Sequence, residues 1–172
     1  TVTLIASDID GDALTYLLDD ASSDGSVSIT DDTAAFTPND NYNGTTSFTY
    51  LVTDGELTSS SSTVTIVVNA VNDAPVLSDI QDQSIDEDTV LSLTLSADDI
   101  DGNDLTYSVS VDGNADVSIV DNELTITPDA DYNGSIAVEV SVSDGEYSDS
   151  SSFTLTVNAV NDAPVLSAVE NQ

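Results

Sequence analysis

The 172-residue chain contains no lysine, arginine, histidine, cysteine, methionine or tryptophan. Each absence closes a class of function. Without Lys or Arg there is no clamp for phosphate, which excludes nucleic acid as a partner, and nothing to draw the chain to an anionic lipid surface. Without His or Cys, zinc and haem ligation, thiol chemistry and Ser-His or Cys-His nucleophiles are excluded. No disulfide can form, so stability must come from elsewhere. No apolar run reaches the length of a membrane-crossing helix. The chain shows no leader pattern and opens in mid-pattern at Thr1, as a piece of a longer protein would.

What is present is acid: 33 Asp and Glu, for a formal charge of −33. An acidic tail would carry them as a block. Here they stand mostly singly among Val, Ile, Leu and Thr, and 39% of residues are hydrophobic. That is enough apolar material for a core, so the sequence reads as folded.

Self-comparison gives the organisation. "DIDGDALTY" at 8–16 returns as "DIDGNDLTY" at 99–107, "TPNDNYNG" at 37–44 as "TPDADYNG" at 127–134, and "VTDGE" at 52–56 as "VSDGE" at 142–146. The string "VNAVNDAPVLS" occurs at 68–78 and again at 157–167. The repeat is about 90 residues long. Its phase predicts a first repeat over 1–74 without its opening strand, a complete repeat over 75–164, and the first strand of a further repeat at 165–172.

Within the complete repeat, apolar residues alternate with Ser and Thr: Leu91, Leu93, Leu95 and Ala97; Ile136, Val138, Val140 and Val142; Phe153, Leu155 and Val157. Shorter runs lie at 105–111, 116–120 and 123–127, with a first strand near 77–86. About seven strands and no helical period predict an all-β fold, two tandem seven-stranded sandwiches of Ig-like type. Each strand would bury one face and solvate the other.

Some acids group at fixed places in the repeat: Asp86, Glu87 and Asp88; Asp98, Asp99 and Asp101; Asp129 and Asp131; Asp144; Asn161 with Asp162. Grouped carboxylates repel, and no basic side chain offsets them. Ca²⁺, which takes six to eight oxygens in a flexible geometry, is the natural counter-charge. "DxDG" by itself is also ordinary turn chemistry, and its glycine comes too early for an EF-hand loop. A purely solvating role, as in a halophile, would spread acids evenly instead of grouping them.

Taken in order, "DEDT" at 86–89, "DDIDGN" at 98–103, "PDAD" at 128–131, "VSDG" at 142–145 and "AVNDAP" at 70–75 and 159–164 resemble the motifs of cadherin repeats. The nearest kind is the cadherin-like tandem repeat of large bacterial surface adhesins, of the RTX-adhesin extender type. The resemblance covers the whole chain. It implies cadherin-like sandwiches joined by short Ca²⁺-binding linkers, with ligands drawn from the base of one domain, the linker and the top of the next. Carried over, the first junction would use Asn72 and Asp73 from the linker, Asp99, Asp101, Asn103 and Asp144 from the following repeat, and Asn39 and Asn41 from the preceding one. The second would use Glu87, Asp129, Asp131, Asn161 and Asp162, and Asp8, Asp10 and Asp54 would serve a junction upstream. The linker departs from the cadherin form: it is one residue shorter, and Ala70 or Ala159 stands in place of its first Asp.

The function so implied is a Ca²⁺-stiffened extender of a secreted or cell-surface fibre, extracellular and of bacterial, marine or halophilic origin. Its partners would be neighbouring repeats or copies of itself. The alternative is an adhesive module that binds extracellular polysaccharide in calcium, or that assembles head to tail by strand addition. An enzyme would be confined to carboxylate-pair chemistry, and acids that recur in each repeat do not make one asymmetric site. "YNG" at 42–44 and 132–134 reads as a tight turn, with Tyr42 and Tyr132 as tyrosine corners.

Overall fold

The computed structural model describes residues 1–164 and 166, and every regular element among them is a β-strand. The expected strand at 165–172 lies outside the described residues. The chain divides into two compact units, Thr1–Val71 and the remainder from Asn72. This boundary falls ahead of the 74/75 division set by repeat phase, because Asn72 and Asp73 are hydrogen-bonded to loops of the second unit.

The first unit comprises β1 (Val2–Thr3), β2 (Thr15–Asp20), β3 (Gly25–Thr30), β4 (Thr33–Pro38), β5 (Gly44–Thr53) and β6 (Ser62–Val68). They form two three-stranded sheets, ordered β1-β4-β3 and β2-β5-β6. The second unit comprises β7 (Val76–Leu77), β8 (Gln83–Asp86), β9 (Leu91–Thr94), β10 (Ala97–Asp98), β11 (Thr106–Val111), β12 (Ala115–Val120), β13 (Glu123–Pro128), β14 (Gly134–Ser143) and β15 (Ser148–Asn158). A four-stranded sheet, β11-β14-β15-β8, accompanies β12-β13-β9 and the pair β10-β7. This is the expected Ig-like sandwich, with two strands each broken in two. The predicted strand near 77–86 splits because its first part pairs antiparallel with β10 and its last part runs parallel to β15, so the chain changes sheets between them. The run at 91–97 breaks at Leu95, which turns into the core at 3% exposure and donates its N–H to the Asn122 carbonyl.

Alternation sets burial. On β14 and β15 the inward residues Ile136, Val138, Val140, Val142, Leu155 and Val157 are sealed, while the residues between them are mostly exposed Ser, Thr and Glu. The two strands pair over ten residues, from Gly134↔Val157 to Ser143↔Ser148. Gly134 must be glycine: its φ is +147°, and a Cβ there would stand 2.8 Å from the Tyr132 hydroxyl. That hydroxyl donates to the Ser135 carbonyl at 3.0 Å, a bond across the Asn133–Gly134 turn and not the expected corner, whose hydroxyl would reach back to the backbone upstream. The first unit has a thinner core of Leu4, Ala34 and Phe48, flanked by half-buried Tyr16, Val27, Ile29, Tyr50, Val64 and Ile66.

Candidate functional site

The turn that follows β10 is built by a single carboxylate. Asp99 Oδ1 accepts from the N–H groups of Asp101 (2.9 Å) and Asn103 (3.2 Å), and Gly102 closes the turn at φ +73°. The other oxygen, Asp99 Oδ2, is buried and has no hydrogen-bond partner. The turn between β14 and β15 has the same design: Asp144 Oδ1 accepts from Glu146 N–H (2.7 Å) and Tyr147 N–H (2.6 Å). Asn72 and Asp73 bridge the two turns. The Asn72 amide donates to Asp144 Oδ2 at 2.7 Å, Asn103 Nδ2 donates to Asn72 Oδ1, and the Asp73 N–H donates to Asp101 Oδ2 at 2.8 Å. The Asn72 amide first, then the Tyr147 and Glu146 N–H groups, hold the Asp144 carboxyl below the ordinary carboxylate range. Asn72, Asp73, Asp99, Asp101, Asn103 and Asp144 therefore meet at one end of the second unit.

At the start of the first unit the same turns recur. Asp8 Oδ1 accepts from Asp10 N–H (2.8 Å) and Asp12 N–H (3.2 Å). Asp54 Oδ1 accepts from the Glu56 and Leu57 N–H groups, both at 2.7 Å, and its pKa is lowered chiefly by the Leu57 contact. These turns form with no counterpart of Asn72 and Asp73 among the described residues, so the turn chemistry is intrinsic to the loop and the linker is an addition to it.

At the far end of the second unit, Glu87 is buried, with 6% exposure. Its carboxylate accepts from Val160 N–H and, at 3.3 Å, from the Asn133 amide, which pins the outgoing chain to the end of the sandwich. Beside it, one carboxylate oxygen each from Asp88, Asp131 and Asp162 lies within 4.8 Å of the others. Asp88 and Asp131 both have positive φ, +62° and +55°, and the Asp131 N–H donates to Asp88 Oδ1 at 3.3 Å. Sequence reasoning placed Asp131 and Asp162 here but carried over only Glu87 from the "DED" string. The grouping of three consecutive acids was the available signal for Asp88. Asp129 is not one of this trio; its backbone bridges Asn114 and Tyr132, and the Asn161 amide donates to the Asp162 carbonyl. In the first unit Asn39 donates its amide to the Ser23 carbonyl at 3.2 Å, and Asn41 occupies a positive-φ position, +58°.

All the donors at both ends are hard oxygens, a set suited to Ca²⁺ and unsuited to zinc or copper. A buried carboxylate oxygen without a donor is costly, and in a chain without a basic side chain a bound cation is the fitting compensation.

Comparison with known proteins bears on the fold. The bacterial Ig domain family matches residues 1–67 and 72–158, once per unit. The structure of human protocadherin-24 EC1-2 superposes with a TM-score of 0.62 at 19% identity, covering 94% of this chain and 88% of that one. Human mucin-like protocadherin EC1-2 superposes at 0.55 and 19% identity, covering 87% and 86%. A chitinase A from Pseudoalteromonas piscicida is 31% identical over 161 residues, which is 88% of this chain and 19% of the chitinase.

Proposed function

The chain belongs to the bacterial Ig domain family, and from that membership we propose that it is a Ca²⁺-stiffened extender of a longer extracellular protein, with no catalytic role of its own. The observation that carries this reading is the buried, unpartnered Asp99 Oδ2 beside a linker already held by Asp101 and Asp144. Without metal, Asn72 and Asp73 donate to these carboxylates and partly screen them. With Ca²⁺, the Asn72 amide turns its oxygen inward, and Asp99, Asp101 and Asp144 supply carboxylates to the ion. At the far end Asp88, Asp131 and Asp162 serve as the equivalent set, next to Glu87. In this reading Asn103, Asp73, Asp129 and Asn161 support those sites, and the matching Asp8, Asp10 and Asp54 turns of the first unit offer the same carboxylates to an ion of their own. Extracellular modules of this chemistry hold Ca²⁺ at about 10⁻⁴–10⁻³ M.

Calorimetric titration with CaCl₂ tests the proposal. The expected result is saturable binding in that range, weakened at least about ten-fold by Asp99→Asn, which keeps the shape but removes a charge. A featureless titration, or one unaltered by Asp99→Asn and Asp131→Asn together, would sink it.

The chitinase likeness favours a second reading. A segment of this kind, within a protein named for polysaccharide breakdown, is consistent with a module that docks on polysaccharide. A chitin and glycan binding screen in calcium separates the two: an extender binds none of them.

A further inference from the structure

The two units differ in how they end a sheet. β2 and β11 are counterparts. Each pairs antiparallel with an interior strand, Tyr16 opposite Val52 in one and Tyr107 opposite Val142 in the other, and each has no strand on its other side among the described residues. A bare edge offers unpaired N–H and C=O groups to any other strand, and charges or a bulge on that edge deter the contact. β2 has both. Its register slips between Leu18 and Asp20, and Asp19 and Asp20 are exposed acids. β11 has neither. Thr106–Val111 pairs throughout in unbroken register, and none of its residues is charged. β12, which ends the neighbouring sheet, carries exposed Asp116. In a chain with 33 acids, β11 is an unguarded edge.

We propose that β11 pairs antiparallel with β11 of a second copy of the chain, about a two-fold axis. The occupant is chosen by self-complementarity. Residues directly opposite in an antiparallel pair share a face of the sheet, so the pairing must centre on a residue, and centring on Ser108 or Val109 keeps most of the strand overlapped. Centring on Ser108 sets Asp104 against the partner's Asp112 at both ends, which is repulsive. Centring on Val109 sets Thr106 against the partner's Asp112, Tyr107 against the partner's Val111 and Ser108 against the partner's Ser110. These are a hydroxyl facing a carboxylate, an aromatic facing a β-branched residue, and two small hydroxyls. The first contact has a precedent within the chain, where Glu123 stands opposite Thr94 and accepts from its hydroxyl at 2.9 Å. Asp112 is set up for it. One oxygen accepts from the Ala137 N–H at 3.0 Å, which fixes the side chain at the end of β11, and the other accepts no hydrogen bond among the described residues. Main-chain hydrogen bonds to a free edge supply affinity, and these side chains supply register. The contact is isologous and closes as a side-by-side dimer. It uses none of the carboxylates assigned to Ca²⁺ above.

Sedimentation of the full chain in chelator tests this without calcium. Net charge opposes association, so it is measured in about 0.15 M and about 1 M NaCl, where the Debye length falls from about 8 Å to about 3 Å. A monomer–dimer equilibrium is expected at millimolar concentration, tighter at the higher salt. Thr106→Asp, which opposes carboxylates at both ends of the pairing, should weaken the dimer about ten-fold, and Thr106→Lys, which places a cation against the partner's Asp112, should tighten it about as much at the lower salt. Ser118→Lys, the same charge on the exposed face of β12, should change it far less. Amide exchange should slow in the dimer along β11 and not along β12. A chain that stays monomeric at millimolar concentration in both salts, dimers indifferent to both Thr106 variants, dimers that Ser118→Lys tightens as much as Thr106→Lys does, or β11 exchange that does not respond would each overturn the proposal.

Discussion

Glu123 shows what an acid does here when no ion is involved. It opens β13 on the exposed face, and its two oxygens accept from the Ser92 and Thr94 hydroxyls across the ladder on β9. The Ser92 contact first, then Thr94, lowers its pKa from the ordinary 4.5. A carboxylate held down in this way favours the folded state fully above its unfolded pKa, and that contribution is lost as pH falls through the folded value. The expected outcome for Ser92→Ala/Thr94→Val is a Glu123 titration that moves up toward 4.5, followed by NMR of its carboxyl carbon; a titration that stays put would show the hydroxyls to be idle. At this scale the sequence was only partly legible. Asp99, Asp101 and Asp144 announce themselves because the repeat writes them twice in a turn pattern. Asp88 does not. Its place in the trio depends on a left-handed backbone that only the packed loop after β8 imposes.

Among the elements, β14 and β15 are the most plainly written, and they carry the greatest burial. Period-two alternation fixes which face of each is sealed, and a long antiparallel ladder fixes the register. The splitting of 91–97 into β9 and β10 was not legible, because a change of sheet is a tertiary event and Leu91, Leu93, Leu95 and Ala97 keep period-two spacing straight through it; in 77–86 a signal was present, since Ile80 is out of step with Leu77 and Ile85, where the chain passes from β7 to β8. The difference in burial between the two units has an energetic consequence. Leu155, at 0% exposure, and its counterpart Ile66, half-buried, occupy equivalent places. Truncating the sealed residue removes its full transfer energy and leaves a cavity, while the half-buried one gives up less of both. Leu155→Ala is therefore expected to cost about 2–5 kcal/mol and Ile66→Ala less than about 2 kcal/mol. Denaturant unfolding, with the tyrosines of each unit as reporters, reads the difference. Equal costs would mean that Ile66 is as fully packed in solution as Leu155.

For the molecule as a whole, the governing fact is a charge of −33 with no side chain of the opposite sign. Such a chain is soluble but strains against its own field, most where loops bring carboxylates together. Two remedies exist, diffuse screening by salt and occupation by a divalent ion, and they can be told apart. In about 0.15 M NaCl the Debye length is already about 8 Å, and a further millimolar of CaCl₂ hardly alters it. Any added stability from that calcium must then come from binding. At ten times its dissociation constant one ion contributes about 1.4 kcal/mol, a rise of roughly 5–10 °C in the melting midpoint of a domain this size. Calorimetry without calcium should show two transitions, because the units have separate cores and the first has only three sealed apolar residues. Calcium should raise the upper transition more, since the second unit holds both the docked Asn72–Asp73 segment and the Asp88–Asp131–Asp162 trio. Equal ionic strength supplied as NaCl should move both transitions slightly and together. If it reproduces the calcium shift, the clustered acids serve solvation alone, and stiffening by ions is not what this repeat was built for.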